Sequence, residues 1–257
     1  MLSKQIKDRI GNIQGNIGIY YKDLKSGRTC IEGNSEKFIS AGLAKVHVLL
    51  EVFNQLEQGK FKKDDIYILK NTDKMPSIGA VMHMHEGTEL TIEDLYKLMI
   101  SIGDNSAFNI LVNLLGIDSI NMTLDELGFV ISRVNRLLYS YDAMSKGVEN
   151  YTSIHEIGDI FDRLYNQQII SRKASNEIIE VLKLQQRNFI IPYYFGLNTI
   201  IAHQVGEDDE CIHDAGIVYS MNPFILCMSA DNVDVKKAES AMRDIALMSF
   251  KHSNRLN

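Results

Sequence analysis

Segments with strand character lie at both ends of this chain and enclose a long helical middle. The strand-like runs are 16–22, 28–32, 199–205, 212–219 and 223–229. The first two are separated by residues 23–27, which have the composition of a hairpin turn. Because a sheet and its helices must bury each other's apolar faces, this order predicts one antiparallel sheet built from both chain ends.

Helical patterns predict how that sheet is covered. Leu2, Ile6 and Ile10 fall on one face of an N-terminal helix, and a final helix is expected at about 235–250. A third apolar stripe begins at Leu43 and closes at Gly59. The fold class is therefore α/β (α+β), with an antiparallel sheet flanked by terminal helices and an inserted all-helical lobe.

Two hydroxyl residues each stand three positions before a carboxylate, the spacing of a capping box at a helix N-terminus. These pairs are Thr91 with Asp94 and Ser153 with Glu156. Both introduce amphipathic segments of the helical middle. We expect a single domain over 1–257, with an α/β lobe of 1–60 plus 190–257 and a helical lobe of 61–189.

Charge and composition narrow the classes of function. The formal net charge of -6 argues against a nucleic-acid partner, which would require a basic face. No apolar run is long enough for a membrane span, and charges interrupt the N-terminal helix where an export signal needs an unbroken apolar core. Three cysteines without CxxC spacing favour reduced thiols and a cytoplasmic location. We expect no metal and no cofactor.

The start of the helix after the hairpin carries the most informative motif. Gly42 stands three residues before Lys45, one helical turn apart. This stretch resembles the S-x-x-K element of the class A β-lactamase and penicillin-binding protein family of serine hydrolases. Further blocks resemble that family in the same order, at 87–95, 103–107, 150–153, 204–206 and 213–218. The resemblance implies the β-lactamase-like fold, with a groove between the two lobes.

The same blocks depart from the family at its functional positions. Gly42 replaces the serine nucleophile, and Gly103 replaces the hydroxyl residue of the S-D-N element. Gln204 and Val205 replace the cation and hydroxyl of the K-T-G element. After Arg136 there is no glutamate placed as in the class A deacylation loop. A single isolated change at Gly42 would not explain the other departures.

We therefore expect a catalytically inactive family member with no intact catalytic residue. Its degenerate pocket is expected to comprise Gly42, Lys45, Gly103, Asp104, Asn105, Gln204, Val205, Gly206 and Glu207. The N–H groups of Gly42 and Glu207 would form what is left of an oxyanion pocket. The alternative is a serine-type hydrolase of β-lactams or D-amino-acid peptides.

Acidic residues beside this pocket bear on its ligand. Residues 207–210 read Glu-Asp-Asp-Glu, so an anionic ligand would meet repulsion there. Asp104 and Asn105 also have a purely structural interpretation as the N-cap of the following helix. The groove is expected to bind a small molecule or a protein partner, and the sequence does not indicate an oligomeric state.

Overall fold

A five-stranded antiparallel sheet forms the centre of the protein, in a computed structural model that describes residues 2–34, 36–196 and 198–254. The strands are β1 (Asn16–Asp23), β2 (Thr29–Gly33), β3 (Phe38–Ile39), β4 (Ile66–Ile68), β5 (Glu89–Thr91), β6 (Tyr151–Thr152), β7 (Ile200–Asp208), β8 (Cys211–Tyr219) and β9 (Phe224–Asp231). The large sheet has the order β2-β1-β9-β8-β7, and β3-β6 and β4-β5 form two small ladders.

Helices lie on both faces of this sheet. They are α1 (Leu2–Ile10), α2 (Ala44–Glu57), α3 (Ile92–Ser101), α4 (Asn105–Leu115), α5 (Ile117–Glu126), α6 (Tyr141–Ser145), α7 (Ile154–Tyr165), α8 (Arg172–Leu182) and α9 (Val235–Asn254). A 3₁₀ turn, Ala41–Leu43, leads directly into α2. The mixed architecture confirms the expected fold class.

The two chain ends meet at the pairing of β1 with β9. Ile19 lies opposite Met228 and Tyr20 opposite Cys227 in an antiparallel register. At the tip of the β1–β2 hairpin, the Asp23 carboxylate accepts hydrogen bonds from the N–H groups of residues 25 and 26 at 3.1 and 2.6 Å. These bonds fix the predicted turn between β1 and β2, while the ladder of β1 with β9 joins this hairpin to the C-terminal strands.

Side chains that point alternately to opposite faces of the sheet divide the apolar core into two clusters. Ile19 faces one apolar cluster, which contains side chains of α1 and α9 such as Ile6 and Ile245. Tyr20 faces the other cluster, which contains side chains of α2 and α7. Successive residues of a strand point to opposite faces, so one buried sheet serves both layers. We propose that the lobe boundaries lie near residues 60 and 190.

The two predicted capping boxes have different outcomes. At α3 the box is confirmed, because Thr91 accepts from the Asp94 N–H and the Asp94 carboxylate accepts from the Thr91 N–H. At α7 the hydroxyl half forms, with Ser153 accepting from the Glu156 N–H at 3.0 Å. The carboxylate of Glu156 instead accepts from the N–H groups of residues 131 and 132, at 2.9 and 2.6 Å. Tertiary donors therefore displace the local bond.

Within the described ranges, no single helix is both long and apolar enough to cross a membrane. The helices α4 and α5 meet these criteria, by length and composition only, when taken together across a bend of 81°.

A glycine of α7 determines how closely this helix approaches the sheet. A Cβ atom on Gly158 would lie 2.8 Å from ring carbons of Tyr20. We expect Gly158→Ala to lower the free energy of unfolding by about 1–3 kcal/mol, since the helix must move away from the sheet. Urea unfolding measures this, with Gly196→Ala as the control because that position opens onto free space. A Gly158→Ala protein as stable as wild type would contradict the packing.

Candidate active site

The 3₁₀ turn and strand β7 touch through two glycines. A Cβ atom on Gly42 would lie 2.4 Å from the carbonyl oxygen of Val205 and 2.9 Å from the Cα of Gly206. From the other side, a Cβ atom on Gly206 would lie 2.9 Å from the Gly42 nitrogen. Both contacts involve backbone atoms, so neither position can accept a side chain unless the strand or the turn moves.

The backbone just before this contact is strained. Ala41 has a φ of 42°, in the left-handed region that glycine adopts far more readily than alanine. Strain of this kind persists where the surrounding structure imposes it, as at functional sites. Ala41 directly precedes Gly42, the residue that β7 approaches.

Lys45 lies one turn further along α2 and is buried, with only 5 % of its surface exposed. Its Nζ donates a hydrogen bond to Asn105 Oδ1 at 3.1 Å. Burial, helped by the positive charge of Arg187 and partly opposed by Asp104, lowers the pKa of this ammonium from 10.5 to about 8. Lys45 thus holds a buried amine that is easily deprotonated.

The residues at the place of the S-D-N element, Gly103 and Asp104, have structural roles. The Asp104 carboxylate accepts from the N–H groups of Ala80, Val81 and Ala107, at 2.6, 2.9 and 3.0 Å, and so caps α4. Gly103 has a φ of 76°, and a Cβ atom there would meet the Arg187 side chain at an ordinary 3.6 Å. Space therefore permits a side chain at this position, but the backbone conformation opposes it.

The residues at the place of the K-T-G element, Gln204 and Val205, are buried. The Gln204 side chain donates to the Val205 carbonyl at 2.9 Å and accepts from Gln185 at 3.2 Å. Gln204 and Val205 both have 0 % of their surface exposed. The amide that replaces the family's cation is therefore satisfied within the protein.

Arg187 brings a cation to the site that the sequence reasoning did not find. Its guanidinium donates to the carboxylate of Glu207 at 2.5 Å. Contacts that anchor the loop carrying it include Asn188 Oδ1 to His203 Nε2 at 3.1 Å and the N–H of residue 191 to the Asp214 carboxylate at 2.9 Å. No local motif marks Arg187, because its role depends on how this loop lies over β7.

These groups surround a cavity of about 580 Å³. Of the residues expected in the pocket, those that line it are Gly42, Lys45, Asn105 and Glu207. The expected residues outside its lining are Gly103, Asp104, Gln204, Val205 and Gly206. The structure adds residues outside the expected set, namely Ala41, Ser77, Ile78, Arg136, Leu138, Tyr139, Tyr141, Met144, Arg187, Asp208 and Asp209.

Charge in the cavity is mixed. The guanidinium of Arg136 is paired with Glu149 at 2.5 Å, as that of Arg187 is with Glu207. Lys45 forms no ion pair with a carboxylate of the described residues. The expected repulsion of anions by Glu207 is therefore reduced, because an arginine neutralises that carboxylate.

A family model described as "Beta-lactamase enzyme family" matches residues 1–252 of the chain. Among curated proteins, the chain is 26% identical over 136 residues to beta-lactamase L2 of Stenotrophomonas maltophilia. That match spans 52% of this chain and 45% of the relative, so it covers less than half of the relative's length.

Solved structures of similar fold match nearly the whole chain. A beta-lactamase from Sphaerobacter thermophilus has a TM-score of 0.89 at 23% identity, covering 100% of this chain and 98% of its own. A beta-lactamase from Chitinophaga pinensis reaches 0.91 at 17% identity, covering 98% and 99%. The structure of PBP-A gives 0.89 at 20% identity, covering 99% and 96%. At these identities the likeness establishes the fold.

The contact between Gly42 and β7 can be tested by stability. We expect Gly42→Ala to lower the free energy of unfolding by about 1–3 kcal/mol, because the new Cβ overlaps backbone atoms of the strand. Ala41→Gly at the neighbouring position is the control and should leave stability equal or higher, since glycine relieves the left-handed backbone. Equal stability of Gly42→Ala and wild type in urea would contradict the contact.

The buried amine of Lys45 predicts a pH dependence of stability. Its pKa is about 8 in the folded protein and 10.5 ordinarily, so between these values the unfolded chain binds more protons. The contribution of Lys45 to the free energy of unfolding should therefore rise with pH across this window, by at most roughly 3 kcal/mol, whereas the thiols of Cys30, Cys211 and Cys227, whose pKa values burial raises above 9.0, lower stability above pH 9 in wild type and variants alike. Lys45→Met should remove that rise, whereas Lys97→Met, which removes a half-exposed lysine of α3, should keep it. An unchanged slope in Lys45→Met would contradict the expectation.

Proposed function

The chain belongs to the beta-lactamase enzyme family, and from that premise we propose that it is a catalytically inactive member whose cavity serves for binding. The family's acyl transfer needs a hydroxyl nucleophile next to its base. Position 42 offers neither a hydroxyl nor the room for one. Removing one member of a nucleophile–base unit can lower the rate about 10⁶-fold.

The single observation that supports inactivity most strongly is the contact of Gly42 with strand β7. The 2.4 Å distance from a Cβ at this position to the Val205 oxygen means that the strand occupies the place of a serine side chain. A recent loss of the hydroxyl alone would leave an empty space there. The backbone has instead closed on the glycine, which fits a chain adapted to the absence of the nucleophile.

The other motif residues support the same proposal. Asp104 is engaged as the cap of α4, and Gln204 is engaged within the protein. We propose the nine expected pocket residues as a degenerate site, in which Lys45 and Asn105 keep a mutual hydrogen bond beside the cavity. Their remaining role would be to bind a ligand and to hold α2 against α4.

The cavity suits a small molecule better than a protein segment. Its volume of about 580 Å³ lies within the range of small-molecule pockets. Part of its lining is apolar, formed by Ile78, Leu138 and Met144, while other parts carry charged groups.

The state of the cysteines bears on the compartment. Cys30, Cys211 and Cys227 are free thiols. Free thiols persist in a reducing compartment, whereas an oxidising one favours disulfides. We therefore propose a cytoplasmic location.

A second candidate function is a serine-type hydrolase acting on β-lactams or D-amino-acid peptides. Ser77 favours it, because it lines the cavity with a φ of 81°, a left-handed conformation uncommon for serine. Ser40, although closer to Lys45 in sequence, is fully buried and lies outside the cavity lining. Ser77 is thus the serine through which hydrolysis would proceed.

Turnover and acylation can be measured on the same protein. We expect no hydrolysis of a chromogenic cephalosporin above a heat-treated control and no change of intact mass with penicillin G. The triple variant Gly42→Ser, Gly103→Ser, Gln204→Lys should also show neither turnover nor acylation, because the introduced serine would collide with Val205. A PBP-A mutant known as an acyl-enzyme complex with penicillin G provides a positive control for the mass measurement.

Two results would overturn the proposal. Turnover by the wild-type protein that is lost in Ser77→Ala would establish the hydrolase. Acylation of the triple variant at position 42 would show that β7 leaves room for a serine. Either outcome would mean that the cavity still supports the family's chemistry.

A further inference from the structure

Lys45 combines burial with access to the cavity. Only 5 % of its surface is exposed, yet its side chain lines the 580 Å³ space. Its Nζ donates one hydrogen bond, to Asn105 Oδ1 at 3.1 Å, lies 5.8 Å from the centre of the Phe108 ring, and forms no ion pair with a carboxylate of the described residues. An amine that is desolvated and lacks a counter-ion is readily converted to its nucleophilic, unprotonated form.

Charged and titratable groups around Lys45 act on balance to favour the neutral amine. Arg187, from the loop over β7, lowers the pKa of the amine, and Asp104, at the start of α4, raises it. Tyr139 and Arg136 also line the cavity, and Arg136 is paired with Glu149. With a pKa of about 8, about one amine in ten is unprotonated at pH 7.

A hydroxyl group is linked to this amine through the side-chain amide of Asn105. Asn105 Nδ2 donates to the Tyr139 hydroxyl at 3.5 Å, and the same Asn105 accepts from Lys45. The Tyr139 hydroxyl accepts this bond and keeps its own proton to donate into the cavity, where it can assist the departure of an oxygen. The amine and a proton donor are thus held together by one amide.

The rest of the cavity selects the ligand. Asp208 and Asp209 line it without an ion pair to any other described residue, and the Arg187 guanidinium is already occupied by Glu207. A ligand carboxylate would therefore be repelled and would find no free arginine. The apolar part of the lining, described above, suits an apolar chain. A neutral carbonyl compound fits these surfaces.

We propose that Lys45 captures small, neutral, apolar aldehydes as an imine. The amine nitrogen attacks the carbonyl carbon to form a carbinolamine, and a C–N double bond forms as the oxygen leaves. That oxygen departs as water with the two hydrogens of the neutral amine, so no oxidant or reductant is needed. The inference rests on the proposed function in one respect, that the cavity binds a ligand without serine acylation.

Reductive trapping tests the proposal on the intact protein. Propanal and cyanoborohydride at pH 7.5 should label Lys45 at least about tenfold faster than the exposed lysines, as read by peptide mapping. Propanal should also outcompete glyoxylate, which carries a carboxylate. Label spread evenly over the surface lysines, or faster labelling by glyoxylate, would overturn the proposal.

Variants of Lys45 and Arg187 distinguish a chemical role of these residues from a purely structural one. Lys45→Arg should lose the fast label while Lys97→Arg keeps it, because arginine stays protonated. Arg187→Gln should move the pH profile of Lys45 labelling to higher pH, since it removes a nearby positive charge; a purely structural role would leave that profile in place. Unchanged labelling in Lys45→Arg, or an unshifted profile in Arg187→Gln, would contradict the proposal.

The outcome is separable from that of the proposed function. Cephalosporin turnover together with fast labelling of Lys45 would refute inactivity and support imine capture. Absence of turnover together with slow labelling of Lys45 would support inactivity and refute imine capture.

Discussion

The close approach of the 3₁₀ turn to strand β7 is the contact on which the rest of the site depends. Gly42 and Gly206 face each other so tightly that a Cβ on either would overlap backbone atoms of the other segment. The contact fixes where α2 begins relative to the sheet, and hence where Lys45 lies. The nucleophile position is therefore closed by packing as well as by sequence.

Burial of charge is the second physical theme. Lys45 is held away from water with a neutral amide as its partner, while Arg187 supplies a cation whose charge Glu207 neutralises. A buried ammonium without a counter-ion is costly, and the protein retains it beside a cavity. Such a group is a candidate for function, because stability alone would favour an apolar residue there.

Much of the fold followed from the sequence because its signals are local. Strand-like runs located the strands of the large sheet, and the turn residues after Asp23 fixed the hairpin. The motif order also indicated Gly42, Lys45, Asn105 and Glu207, which line the cavity.

Contacts between distant segments were the part that the sequence could not supply. Arg187 could not be foreseen, since it reaches the site through a loop anchored on His203 and Asp214. Nor could the carboxylate of Glu156 be placed, because tertiary N–H donors outcompete its local cap.

The central claim also concerns a long-range contact, namely that strand β7 occupies the space of the missing side chain. A crystal structure of the Gly42→Ser variant measures it directly, through the positions of the introduced hydroxyl oxygen, the Val205 carbonyl and Lys45 Nζ. The account predicts that β7 moves away from the turn or that the turn rearranges, because the wild-type geometry leaves only 2.4 Å for the Cβ. A serine accommodated on an unmoved strand, with its hydroxyl oxygen within hydrogen-bonding distance of Lys45, would contradict it.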